Sequence, residues 1–315
     1  MCSSYAGGVT LSPAQQEVVD LLGAEASERP TFDPALRHRL RARLEADLAP
    51  HVDALDERLF LNKHLLAQAH ACEARFVAEQ QEDFAWTVPT ARGAVSHKAI
   101  ELSVHLPGDR PPMDLVDEAF ARLQQTDQSI ADWLVTISEV EAAELRAAAT
   151  ERVAKFLECW PPLDSRWRPV TESRLSVDLC EGRARLSGKV DLSLGAADGN
   201  TAGKVIVDLK TGAFAPAHAD DLRFYALVET LRLGTPPRKL ATHYLDAGEL
   251  RPEDVTEAVL DSAVARTVDG AAKLVELVHQ GRTPSKAPGP ACRWCLLLDS
   301  CDEGRAHLDG EDGLD

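Results

Sequence analysis

The stretch Gly188–Gly212, GKVDLSLGAADGNTAGKVIVDLKTG, decides how this chain folds. It holds two short runs rich in Val, Ile and Leu, and each carries one aspartate, Asp191 and Asp208. Lys210 stands two residues past the second aspartate. The connection GAADGNTAG is turn material, so the two runs read as consecutive strands. Residues i and i+2 of a strand point to one face. Asp208 and Lys210 therefore share a face, and Leu209 turns to the core. If the two runs pair side by side, the two aspartates converge on one point.

Two carboxylates that close repel unless a cation sits between them or one keeps its proton. A hard divalent ion such as Mg²⁺ or Mn²⁺ takes oxygen ligands in that arrangement. A lysine beside the ion can hold a water or stabilise negative charge developing on phosphate. This is the chemistry of metal-assisted phosphodiester hydrolysis. A bare D-x-K on a strand is more often a pair of solvated charges. Here the context favours a site: an Asp-bearing strand lies one loop upstream, a Thr-Gly turn follows the lysine, and a helix comes next.

Outward from this stretch, TESRLSVDLCEG reads as a strand hairpinned onto ARLSGKVDLSLG. HADDLRFYALVETLRLG returns to helix and stops at Gly234, KLATHYLDAGEL reads as a fourth strand, and a long helix follows from Asp254 to Gly281. Upstream, Ser12 to about Ala85 reads as helical, with Ser12–Pro13 and Asp33–Pro34 as helix starts and Pro30 and Pro50 bracketing the second helix. Thr87-Val88-Pro89-Thr90 reads as a breaker, followed by the helix ARGAVSHKAIELSVH, on which His97 and Glu101 share a face. The Ala-, Leu- and Glu-rich segment from about Pro112 to Cys159 reads as two or three helices. No internal repeat is present.

The 315 residues suit one large domain with an elaboration, or two domains, and 44% hydrophobic content can bury a sizeable core. No run approaches the roughly 18 apolar residues of a membrane helix. MCSSYAGGVTLSPAQQ lacks a basic segment leading into an apolar one, so a cytoplasmic location without a signal peptide is expected. The net charge of -17 argues against a general nucleic-acid coat protein. A DNA enzyme with a local basic groove remains compatible with it.

With these residues in place, the chain resembles the PD-(D/E)XK nucleases in their RecB-like branch. GKVDL and VIVDLKTG look like motifs II and III of that branch, and GAVSHKAIE resembles motif I, with His97 in the position of a metal-binding histidine. DLRFYALV is similar to the Q-x-x-x-Y helix, with Tyr225 at the tyrosine and Asp221 where the glutamine stands. Asp cannot donate the amide hydrogen bonds of Gln, and its charge repels phosphate. The resemblance runs from about Cys72 to Cys301 and does not place the first seventy residues.

The resemblance implies an α/β, restriction-endonuclease-like core: a mixed sheet flanked by helices. Residues 1–70 would be a helical N-terminal region, 71–301 the nuclease core with a helical insertion at about 110–160, and 302–315 a frayed acidic tail. It implies His97, Asp191, Asp208 and the Leu209 carbonyl as ligands of Mg²⁺ or Mn²⁺, Lys210 as the catalytic lysine, and Tyr225 and Asp221 as substrate contacts. Glu172, at the start of the preceding strand, is a further candidate carboxylate, or else an exposed strand-start charge. Glu101 reads as a solvated helix charge. The implied activity is exonucleolytic cleavage of DNA, often at single-stranded ends, in repair, recombination or CRISPR-linked defence. The sequence has no Walker-type G-x-x-x-x-G-K-S/T, so a helicase or CRISPR-adaptation component would be a separate partner. The rival reading is a catalytically silent DNA-binding scaffold.

Of the cysteines, Cys292, Cys295 and Cys301 form C-x2-C-x5-C after a Pro-rich connection, a metal or cluster pattern that needs a fourth ligand. The resemblance to cluster-containing nucleases places that ligand at Cys72, giving a 4Fe–4S cluster that ties the C-terminus to the core. Zn²⁺ on the same four cysteines is the alternative. Cys2, Cys159 and Cys180 read as incidental. Trp294 reads as packing over the cluster, or as a surface on which a base could stack.

Overall fold

A computed structural model describes residues 10–106 and 108–312, with side chains through 310. Cys2 lies outside the described residues. The chain opens with α1 (Pro13–Leu22), where Ser12 and Gln15 cap each other reciprocally and Pro13 opens the first turn. Next come α2 (Leu36–Val52), β1 (Leu59–Leu61), α3 (Lys63–His70) and α4 (Glu73–Glu79). Then follow α5 (Val88–His105), α6 (Pro112–Thr126), α7 (Gln128–Leu134) and α8 (Glu139–Cys159). Strands β2 (Val170–Leu179), β3 (Ala184–Leu194) and β4 (Val205–Lys210) lead into α9 (His218–Leu233). The order closes with β5 (Lys239–Tyr244), β6 (Glu249–Asp254), α10 (Glu257–Leu274) and α11 (Asp302–Asp312).

The six strands form one mixed sheet. β3 pairs antiparallel with β2 along its whole length. A strand has two edges, so β1 and β4 share the other one. β1 lies parallel to Ala184–Leu186, and β4 antiparallel to Leu192–Leu194. β5 runs parallel to β4, which requires a crossover, and α9 supplies it. β6 pairs antiparallel with β5. Helices cover both faces. Leu40, Leu44 and Leu48 of α2 share a core with Leu186, Ile206, Leu227 and Val264, while Val95, Phe120 and Val153 share the other with Leu192, Val207 and Leu209. The mixed α/β sheet flanked by helices expected from the sequence is the observed architecture.

Local readings need correction at five places, the first being Pro50, which lies inside α2 rather than closing it. Leu59–Leu61 lies in the stretch read as helical, yet it is a strand, held by its pairing with β3. KLATHYLDAGEL is not one strand: a turn at 245–248 splits it, and β6 follows. The Thr87–Thr90 breaker is the start of α5, with Thr87 accepting from the Thr90 N–H and Pro89 in the first turn, where its missing N–H costs nothing. The tail read as frayed forms α11, whose first turn is tied back by the Gly304 N–H donating to the Cys301 sulfur.

Two contacts bind distant parts of the chain. Gly188 faces the Tyr225 ring of α9 so closely that a Cβ there would collide with ring carbons. Glu73, at the start of α4, accepts two hydrogen bonds of 2.9 Å from Arg282 and two of 2.8 Å from Ser285. The Arg282 guanidinium holds the Glu73 carboxyl down at about 2 against the opposing effect of burial, and Ser285 adds to it. This knot fixes the Pro-rich connection onto the helix that begins beside Cys72.

Gly188→Ala forces the Tyr225 ring to move and is expected to destabilise the fold by about 1–3 kcal/mol, read by urea unfolding. An unchanged midpoint would contradict the packing. Glu73→Ala removes the bonds to Arg282 and Ser285, leaving Arg282 paired with Glu276 alone, and is expected to cost about 1–3 kcal/mol. Because the folded Glu73 pKa is depressed, its contribution is complete above the unfolded carboxylate pKa and is lost as pH falls toward 2. Wild type and Glu73→Ala should thus converge in stability between about pH 4.5 and 2.

Candidate active site

The site forms where β3 and β4 run side by side. Their register pairs Leu192 with Val207, and continuing it by one residue sets Asp191 opposite Asp208. On the other edge of β3, Thr171 pairs with Leu192 and Ser173 with Val190, so Glu172 falls opposite Asp191. Glu172 has φ 52°, in the left-handed region that non-glycine residues seldom take. The in–out alternation of β3 reverses at this point: Val190 packs into one core and Leu192 into the other. The local departure from regular strand geometry coincides with the carboxylates.

One peptide unit organises the first half of the site. The Leu209 N–H donates to Asp191 Oδ2 at 2.7 Å, and His97 Nε2 lies 3.0 Å from the Leu209 carbonyl, to which it donates. His97 Nδ1 then faces Asp191 Oδ1 at 3.5 Å and Glu172 Oε1 at 4.0 Å. One ligand atom each from His97, Glu172 and Asp191 lies within 4.8 Å of the others, the one such three-residue group among the described residues. Burial alone would raise the Asp191 pKa, but the facing His97 overcomes it and, with Lys63 and the Leu209 N–H, brings it below the usual range. Burial likewise opposes charge on His97, and the carboxylates of Asp191, Glu172 and Asp208 outweigh it and raise its pKa. Lys189 pairs with Glu172 from outside.

Asp208 anchors the second half. Its side chain is 1% exposed and lies between two ammonium groups, Lys63 Nζ 2.7 Å from Oδ1 and Lys210 Nζ 2.9 Å from Oδ2. Oδ2 has no well-directed hydrogen bond, so it keeps acceptor capacity toward the site. Lys210 also reaches Asp221 Oδ2 at 3.0 Å. Tyr225 is buried beneath these charges, with the Lys63 ammonium 4.9 Å from its ring centre, and burial pushes its phenol up to about 12.

The structure thus brings together His97, Glu172, Asp191, Asp208, Lys210, Asp221 and Tyr225. The Leu209 carbonyl is present too, bonded to His97 with a second lone pair available. Glu101 pairs with Lys98 at 2.8 Å on its own helix. Sequence reasoning missed Lys63. Its one local signal is Asn62, which caps α3 by accepting from the Leu65 N–H at 2.9 Å and so sets Lys63 at the helix start, directly after β1. At the C-terminus, Cys72, Cys292 and Cys301 accept N–H···S bonds from Ala287, Gly289 and Gly304 at 3.5, 3.4 and 3.4 Å. A Cβ on Gly304 would touch both the Cys301 and Cys292 sulfurs, so these two face one point. Trp294 is largely exposed rather than packed over the cysteines.

No curated protein matches the sequence. Among solved structures, the chain is similar to a candidate exonuclease from Eubacterium rectale, with 12% identity, a TM-score of 0.46, and coverage of 81% of this chain and 90% of that one. It is also similar to the protein SSO0001, with 13% identity, a TM-score of 0.35, and coverage of 85% and 97%. The family model of the PD-(D/E)XK nuclease superfamily matches residues 65–302, from α3 through the last of the three clustered cysteines. By that match, which takes in every residue of the site except Lys63, the chain belongs to the PD-(D/E)XK nuclease superfamily.

Proposed function

We propose that the protein is a metal-dependent deoxyribonuclease of the RecB-like branch, acting as an exonuclease at single-stranded DNA ends in repair, recombination or CRISPR-linked defence. The observation that carries this reading is the convergence of His97, Glu172 and Asp191 beside the buried Asp208–Lys210 pair. The donors are one imidazole nitrogen and carboxylate oxygens, a set that fits Mg²⁺ or Mn²⁺. His97 Nδ1, Asp191 Oδ1 and Glu172 would hold the ion, with Asp208 as a further candidate ligand. When bound, such an ion offsets negative charge developing on the phosphate and acidifies water.

The chain's own residues do the rest. The Leu209 peptide fixes His97 and Asp191 in place, so neither ligand must be reordered when the site fills. Lys210, held by Asp208 and Asp221, has a third N–H with which it can orient a water or stabilise the developing oxyanion. Asp221 faces two lysines, so it does not confront the phosphate alone. Single-stranded substrate is supported by Phe214, half-exposed on the loop just after Lys210 with Arg251 over its ring at 4.0 Å, where an unstacked base and its phosphate can lie.

We infer further that Cys72, Cys292, Cys295 and Cys301 hold a 4Fe–4S cluster. The N–H···S bonds are the kind that stabilise cluster thiolates. A tetrahedral zinc needs sulfurs about 4 Å apart, and among the described residues no three cysteine sulfurs lie within 4.8 Å of one another. A polynuclear cluster spaces its thiolates more widely. The rival scaffold reading is favoured by the net charge of -17 and opposed by the preserved Asp191, Asp208 and Lys210.

Two measurements test these readings. End-labelled single- and double-stranded DNA should be cut by anaerobically purified protein with Mn²⁺ or Mg²⁺, and Lys210→Ala should lose about 10²–10³-fold in rate. The product ladder gives the polarity, and an inert, cluster-loaded wild type would leave the scaffold reading in its place. Metal analysis should find about four iron atoms per chain with visible absorbance, both lost in Cys292→Ser. One tightly bound zinc in anaerobically purified protein would replace the cluster assignment.

A further inference from the structure

Lys63 stands against its local environment. It occupies the first position of α3, the positive end of the helix, where a cation is disfavoured. Its ammonium nevertheless lies deep in the site: 2.7 Å from Asp208 Oδ1, 3.9 Å from Asp221 Oδ2 and 4.9 Å from the centre of the Tyr225 ring. Three groups from two other elements fix it. It also lies outside the span matched by the nuclease family, residues 65–302.

Asp208 has two oxygens with different surroundings. Oδ2 lacks a directed hydrogen bond and faces Lys210, whereas Oδ1 is capped by Lys63. In two-ion nucleases a carboxylate bridges cations about 3.5–4 Å apart, one per side. Here a compact ammonium with three donors already fills one of those sides. We propose that Lys63 is the site's built-in second cation, filling the place beside Asp208 Oδ1 that a second divalent ion would otherwise take, so that the site is completed by a single ion. The proposal rests on the nuclease reading for its catalytic consequence, but not for its account of metal binding.

The arrangement also explains Asp221. Lys63 adds a positive charge to the pair Asp208 and Lys210, and Asp221 supplies the negative charge that balances it. A neutral glutamine there would leave two ammonium groups sharing one carboxylate. Lys63 and Asp221 are thus a matched pair.

The test begins with Mn²⁺ alone, titrated into the full chain without DNA and followed by calorimetry and electron paramagnetic resonance. Wild type is expected to take one ion at the site, and Lys63→Met to take a second, weaker one. Lys63→Arg, which keeps the charge, should stay at one. In cleavage assays Lys63→Met should lose about 10²-fold at low Mn²⁺, and rise steeply with added Mn²⁺ toward the wild-type rate. Loss of a merely structural contact would not be repaired by metal. Two ions on wild type would overturn the proposal, and so would Lys63→Met that binds one ion and is not rescued. The wild-type stoichiometry decides even if the Met variant fails to fold. If the stoichiometry shifts as expected but no form cuts DNA, the cation role stands and the nuclease reading fails. If wild type cuts DNA and Lys63→Met changes neither stoichiometry nor metal dependence, the reverse holds.

Discussion

Asp208 is a carboxylate with almost no contact with water, and the rest of the site is arranged around its charge. A buried carboxylate left alone would cost several kcal/mol or keep its proton. Lys63 and Lys210 approach it from two sides, and Asp221 and the Tyr225 ring hold those lysines in turn. The constraint reaches into the fold. Lys63 can arrive only because β1 pairs with β3 and Asn62 starts a helix at that point. Tyr225 can lie beneath it only because Gly188 has no side chain.

The half of the site around His97 and Asp191 depends on a different interaction, the Leu209 peptide. Its N–H and carbonyl orient an aspartate from the neighbouring strand and a histidine from α5, while its side chain sits in the opposite core. One residue thereby couples the sheet, a helix and the packing below it. Because the same backbone lies between Asp208 and Lys210, both halves of the site share one rigid segment. Rigidity of this kind is what pre-organised charge stabilisation requires.

A second clamp acts far from these charges. Glu73 gathers Arg282 and Ser285, so the Pro-rich connection lies along α4 and returns the C-terminal cysteines toward Cys72. The knot is built from protein groups alone. It brings the ends of the matched segment together by itself, so the closure entropy of a loop of more than two hundred residues is met in part by this knot.

The sequence alone determined the central strands and their charges. Alternation around Asp191 and Asp208, the turn between them and the i, i+2 spacing to Lys210 are local features, so they could be read directly. His97 on its helix and the helical insertion were legible for the same reason: periodicity and capping are written within a few residues. Tertiary structure decided the rest. Leu59–Leu61 is too short to announce itself and becomes a strand only through a partner more than a hundred residues away. Glu172 became part of the site because its left-handed backbone falls opposite Asp191. Lys63 had no signal of its own chemistry, since its meaning lies in Asp208, Asp221 and Tyr225, all brought to it by long-range packing. Local geometry can be read from neighbours in sequence, but a buried charge is defined by its neighbours in space.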